Sequence, residues 1–216
     1  MKNKSKILTA AFLAALLQTA LSFGQSPESY AAPKESGVNF SLSLGGAYAQ
    51  TTSISGGVWD NRKVDLFGAY GSFALRFGRH HKMQFDLGYL SGSKSESYNI
   101  GYLTGEDSLD YKIIPLLLSY EYCFLLGSRD RFEIHVGPTA GGYRHTVDAA
   151  LTLGSSSVSI KNSEYGYSYG GRAGLTWHIS PRLFVDATAR YLRSASSFKD
   201  FDLTSTSATL SFGFKF

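Results

Sequence analysis

The last nine residues, Ala208 to Phe216, alternate without a break. Ala208, Leu210, Phe212, Phe214 and Phe216 fall on one side of an extended chain, and Thr209, Ser211, Gly213 and Lys215 on the other. A period of two is the side-chain period of a β-strand. A strand with Leu and three Phe on one face must cover that face with something apolar.

The same alternation recurs along the chain and gives eight expected strands: 38–48, 64–77, 83–90, 109–124, 132–143, 165–179, 183–191 and a last one from about Leu203. In 64–77, for example, Phe67, Phe73, Leu75 and Phe77 oppose Tyr70, Ser72, Ala74 and Arg76. The fourth run changes parity: Leu109, Tyr111 and Ile113 hold one side, and Leu116, Leu118, Tyr120, Tyr122 and Phe124 the other. A bulge at Pro115 is the expected cause. The connections alternate between long (49–63, 91–108, 144–164, 192–202) and short (78–82, 125–131, 180–182). Short turns at one end and long loops at the other are the mark of an even-stranded outer-membrane barrel.

A soluble eight-stranded barrel of the lipocalin kind alternates too, but turns its apolar face inward. The opposite face decides between them. It carries Arg76, Asp86, Glu121, Glu133, Arg172, Asp186, Arg190 and Lys215, four charges of each sign. Enclosed together, these form a neutral, paired interior network, which buried charges require. Gly88, Gly137, Gly141, Gly174 and Gly213 are expected to leave room for the Arg side chains. Aromatic residues gather at strand ends: Phe77, Phe124, Phe132, Trp177 and Phe216 at the short-turn end, Tyr48, Tyr89, Tyr165, Tyr167 and Tyr191 at the loop end. Such a double girdle marks the two interfaces of a membrane. The expected fold class is therefore all-β: an eight-stranded antiparallel up-and-down transmembrane barrel of the outer-membrane type.

Ahead of the barrel, residues 1–24 read as a secretory signal peptide. Lys2, Lys4 and Lys6 form the basic region, Ile7 to Leu21 the apolar one, and cleavage is expected before Gln25. Residues 25–37 read as a short leader and 38–216 as the barrel. The one cysteine, Cys123, excludes an intramolecular disulfide and reads as interior filler. The net charge of +4 is scattered, with no cluster for nucleic acid.

Ile114-Pro115-Leu116-Leu117-Leu118-Ser119-Tyr120, Gly137-Pro138 and the terminal Phe212-Gly213-Phe214-Lys215-Phe216 carry a resemblance. The chain resembles the small eight-stranded outer-membrane barrels of the OmpA/OmpX type, and in particular is similar to the outer membrane protein beta-barrel domain family. The resemblance implies an integral outer-membrane location, contact with outer-membrane lipid and lipopolysaccharide, and a C-terminal signal at Phe212, Phe214 and Phe216 read by the barrel assembly machinery. With the chain ending on its last strand, the peptidoglycan-binding domain that follows the barrel in full OmpA-type proteins is not expected.

Activity is less constrained, because such barrels host many functions. One lipid A deacylase family carries a His-x-Ser pair, and His178-Ile179-Ser180 matches that spacing at the short-turn end. An inward His beside a turn accounts for it more simply. His145 and Asp148 evoke an omptin-like protease but stand alone in an expected loop. His80-His81 is read as a solvated basic turn with Arg79 and Lys82, and His135 as a packed interior residue. No cofactor, metal or catalytic residue is expected. Eight strands leave a lumen that side chains can fill, so a wide channel is not expected; a narrow pore and the deacylase are the alternatives. The expected role is a structural envelope component, or binding of an extracellular ligand through the long loops.

Overall fold

Antiparallel neighbours in sequence order need only hairpins to close a ring, and that is what the alternating runs form. The computed structural model describes residues 38–54, 63–100, 103–126, 131–153, 156–196 and 202–216. The expected signal peptide and leader lie outside the described residues.

The strands are β1 (Val38–Ile54), β2 (Val64–Phe77), β3 (His81–Ile100), β4 (Leu103–Leu126), β5 (Phe132–Leu153), β6 (Ser156–His178), β7 (Leu183–Ser196) and β8 (Asp202–Lys215). They form one closed barrel in sequence order, with β8 pairing back onto β1. The expected eight-stranded antiparallel barrel is the observed fold. Closure leaves no sheet edge over the shared length of the wall. At the β2–β3 turn, Gly78 takes φ +61°, a left-handed conformation that a glycine adopts without steric cost.

Outward residues are apolar over a belt running right round the wall. Leu44 is 68% exposed, Phe67 62%, Leu116 59% and Leu210 60%. Both sets of girdle residues also face outward. The belt on β7, Leu183 to Tyr191, is nine residues tall, close to the length of about 9–11 residues that a tilted strand needs to cross a bilayer.

Two sequence expectations fail. No bulge occurs at Pro115: β4 keeps one register against β5 from Gly105↔Leu153 to Ser119↔Thr139. Leu109, Tyr111, Ile113 and Leu117 all point inward and are buried. The parity change arose because the apolar side of β4 moves from the inside to the outside, while the backbone does not shift. Nor are 91–108 and 144–164 long loops. β3 and β4 pair as far as Ile100↔Leu103, and β5 and β6 as far as Leu153↔Ser156. In the expected connection 49–63, the part up to Ile54 is likewise strand. Past the belt both faces lose their apolar requirement, so the alternation fades although the backbone pairing continues.

This asymmetry shapes the molecule. β2 pairs with β3 only up to Ser91, and β6 with β7 only down to Gly166. Beyond those rows, among the described residues, β3, β4, β5 and β6 pair in register only with one another, while Asp65 and Leu66 of β2 still flank Gly92. They reach about 20 Å past the rim of β2 at Val64 and about 30 Å past that of β7 at Ser196, measured along the strands at roughly 3.3 Å per residue.

Candidate functional site

The lumen is blocked by two chemically distinct layers. Towards the short turns lies an ion-pair network. Its members come from six strands, because inward positions on neighbouring strands line up in register. Asp86 receives Arg172 Nη1 at 2.9 Å and Arg190 Nη2 at 3.1 Å, with Ser72 Oγ donating at 2.5 Å and Gln84 Nε2 at 2.8 Å. Glu121 lies 2.9 Å from Lys82 Nζ, 3.1 Å from Arg172 Nε and 2.6 Å from His135 Nδ1. Glu133 pairs with Arg76 and lies 3.8 Å from Lys82 and 3.4 Å from His178 Nε2. Asp186 lies 2.7 Å from His135 Nε2 and accepts from Thr176 at 2.7 Å and Thr188 at 2.5 Å. Each carboxylate thus holds several donors, which buried charges need to offset the loss of water.

Towards the long hairpins the lumen is apolar. Ala49, Val64, Leu66, Tyr70, Leu90, Leu109, Tyr111, Ile113, Leu117, Tyr143 and Leu192 pack together there. The Arg190 guanidinium lies 4.6 Å from the centroid of the Tyr70 ring and joins the two layers.

Of the eight interior charges read from sequence, Arg76, Asp86, Glu121, Glu133, Arg172, Asp186 and Arg190 lie in the network. Lys215 also points inward but has no carboxylate within ion-pair distance among the described residues. Its expected place is taken by Lys82. Strand β3 begins at His81, so Lys82 has inward parity, lies directly across from Glu121 and is 8% exposed; it is not a solvated turn residue. His135 is fully buried between Glu121 and Asp186. Sequence reasoning placed it inside but missed its partners, which lie 14 and 51 residues away along the chain. The expected room for Arg side chains is filled by rings instead: a Cβ at Gly88, Gly174 or Gly213 would meet Tyr70, His135 or Phe184.

The residues that raised catalytic readings are held by structural contacts. Ser180 Oγ accepts the N–H groups of Arg182 at 3.3 Å and Leu183 at 3.0 Å, capping the turn. His178 is 4% exposed, beside Glu133, with Phe184 packed edge-on against its ring. His145 stacks between Tyr111 and Tyr143, 3.6 Å from Glu164, while Asp148 pairs with Lys161 at 3.4 Å. His80 Nδ1 lies 2.9 Å from the Cys123 carbonyl, and His81 Nδ1 2.7 Å from the Tyr120 hydroxyl. Cys123 is fully buried. Among the described residues, no group of three or more His, Cys, Asp or Glu side chains is placed to hold a metal ion.

Known structures share this architecture. Neisserial surface protein A superposes with a TM-score of 0.56 at 19% identity, over 83% of this chain and 99% of that one. Ail, the attachment invasion locus protein of Yersinia pestis, solved with the heparin analogue sucrose octasulfate, gives 0.52 at 16% identity, over 83% and 99%. The fold is that of the small outer-membrane barrels. No protein-family model matches the chain, and no curated protein matches it in sequence. The resemblance read from sequence therefore stands at the level of fold.

Proposed function

We propose that the protein is an integral outer-membrane barrel without catalytic activity, a closed scaffold that presents the β3–β6 sheet to a partner outside the cell. The observation behind this reading is a contrast: the lumen is blocked by two layers, while four of eight strands continue far past the apolar belt. A blocked lumen argues against a pore, since a solute would have to displace buried ion pairs and apolar side chains together. Water cannot cover the apolar belt at tolerable cost, so lipid and the acyl chains of lipopolysaccharide are its natural surroundings. Phe212 and Phe214 on the outer face of β8, with Phe216 following, form the segment we assign to the barrel assembly machinery.

The projecting sheet offers two kinds of contact. Its long borders, β3 past Lys94 and β6 before Gly166, have no neighbouring strand among the described residues. Unpaired borders of this kind accept an added strand. On its inner face Leu151, Val158 and Ile160 are 42%, 62% and 67% exposed. Residues 91–112 and 144–165 carry four Lys and Arg against six Asp and Glu. That balance favours a protein partner over a sulfated polysaccharide.

Two measurements test the proposal. The protein in planar bilayers should show no unit conductance; a steady open channel would overturn the closed scaffold. Removing 93–110 and 146–163 should leave a heat-modifiable barrel and abolish attachment of expressing cells to surfaces that the full chain binds. Attachment kept by the truncated barrel would move binding off this sheet.

A further inference from the structure

Below the ion-pair network, at the short-turn end, the lumen is not filled. A cavity of about 200 Å³ opens there. Its lining includes the cationic side chains Arg76, Lys82, Arg182 and Lys215, and two carboxylates, Glu133 and Asp186. Both carboxylates are already engaged, Glu133 by Arg76, Lys82 and His178, and Asp186 by His135, Thr176 and Thr188.

Two cations remain. The Lys215 N–H donates to the Arg182 carbonyl at 2.7 Å, so the two residues are direct neighbours across the β7–β8 ladder, and both line the cavity. Neither has a carboxylate within ion-pair distance among the described residues. Like charges directly across a ladder repel. The inward Lys, Arg, Asp and Glu below the apolar layer leave one cation in surplus, and Arg182 in the adjoining turn adds a second. Arg76, Lys82, Arg172, Arg190 and Lys215 face Asp86, Glu121, Glu133 and Asp186, five cations against four anions. Around the two free cations stand neutral hydrogen-bonding groups, Ser41, Ser43 and Asn39. Ser41 is the residue beside Lys215 on β1. A partly desolvated lysine, an arginine across the ladder from it and the hydroxyls beside them form a cradle for an oxyanion, since charge-assisted hydrogen bonds to phosphate are the strong ones.

We propose that this vestibule binds a small, soluble oxyanion of the phosphate class, held by Lys215 and Arg182 at the short-turn mouth. The site is independent of the projecting sheet and of any partner there. It makes the barrel two-ended: macromolecular contacts at the long hairpins, small-anion capture at the opposite mouth.

Lysine acetylation followed by mass spectrometry tests the proposal on the intact folded barrel in zwitterionic detergent. Millimolar inorganic phosphate should slow modification of Lys215 at least fivefold relative to chloride at equal ionic strength. Lys112, exposed on the projecting sheet, should react equally in both. Equal rates at Lys215 would overturn the site. Protection in phosphatidylglycerol vesicles but not by phosphate would assign the cations to a lipid headgroup and overturn the soluble ligand. Arg182→Gln lies in an exposed turn and should keep the heat-modifiable barrel. In that variant phosphate protection of Lys215 should fall at least threefold; undiminished protection would overturn the two-cation cradle.

Discussion

The two layers of the lumen close the same barrel by different physics. The layer near the short turns is directional. Arg172 reaches Asp86 and Glu121, His135 reaches Glu121 and Asp186, and Lys82 reaches Glu121 and Glu133. Each group is placed by several others, and removal of one leaves its neighbours short of a compensating charge. The layer near the hairpins is a packed apolar cluster with no such constraint. A side chain lost there leaves a gap that neighbours can partly fill. Charges specify the register of strands that are far apart in sequence, Asp86 and Arg190 being 104 residues apart. Apolar packing contributes stability with less specificity.

The largest effect should come from breaking the charged layer. Glu121→Ala leaves Lys82 and Arg172 facing each other in the lumen without the carboxylate between them. A loss of about 3 to 5 kcal/mol is expected, the usual range when one partner of a buried pair is removed. Guanidinium unfolding in lipid vesicles measures it. A loss below about 1 kcal/mol would mean that water reaches these groups and that the layer is not closed.

Leu117→Ala tests the apolar layer. Leu117 is 1% exposed, and its truncation should cost about 2 to 3 kcal/mol, near the low end for a buried leucine. In the double variant with Glu121→Ala the two sites are four residues apart on β4, with Ser119 between them, so the costs should add within about 0.5 kcal/mol. A larger departure would mean that the two layers are coupled through β4.

The contact between the layers is a smaller term. Tyr70→Leu keeps an apolar but smaller side chain and removes the ring facing the Arg190 guanidinium, a loss of about 1 kcal/mol from that contact. The same substitution in an Arg190→Met background should cost less, because the cation is gone. Equal costs in both backgrounds would reduce the Tyr70–Arg190 contact to packing.

The outer surface could be read from the sequence because lipid imposes the same demand on every outward position, whatever its neighbour. Phe67, Leu116 and Leu210 are apolar for one shared reason. The interior is relational and was read only in part. Lys82 sits in the run Arg79-His80-His81-Lys82, which looks like a solvated basic turn; its partner Glu121 is 39 residues away. Leu109, Tyr111 and Ile113 escape the alternation rule because an apolar side of a strand can face a packed lumen as well as lipid. In fact the wall of β4 is apolar on both sides from Ile113 to Leu118, where alternation cannot show. The projecting sheet was lost for the opposite reason, since Ser91-Gly92-Ser93-Lys94-Ser95 has no apolar face to alternate. The vestibule follows from Lys82 in turn: once Lys82 joins the network, Lys215 is left as the surplus cation.

The smallest change tests the apolar layer most finely. Tyr111 is 1% exposed, and its hydroxyl has no hydrogen-bond partner among the described residues. A buried hydroxyl without a partner costs free energy that a phenylalanine ring of the same shape avoids. Tyr111→Phe should therefore unfold at the same or a higher guanidinium concentration than the parent barrel. His145 stacks on this ring at a centroid distance of 6.0 Å, and that contact survives the substitution. A loss of about 1 kcal/mol or more would show that the hydroxyl has a partner within the lumen. The hairpin end would then be closed by polar contacts as well, and the contrast between the layers would be one of degree.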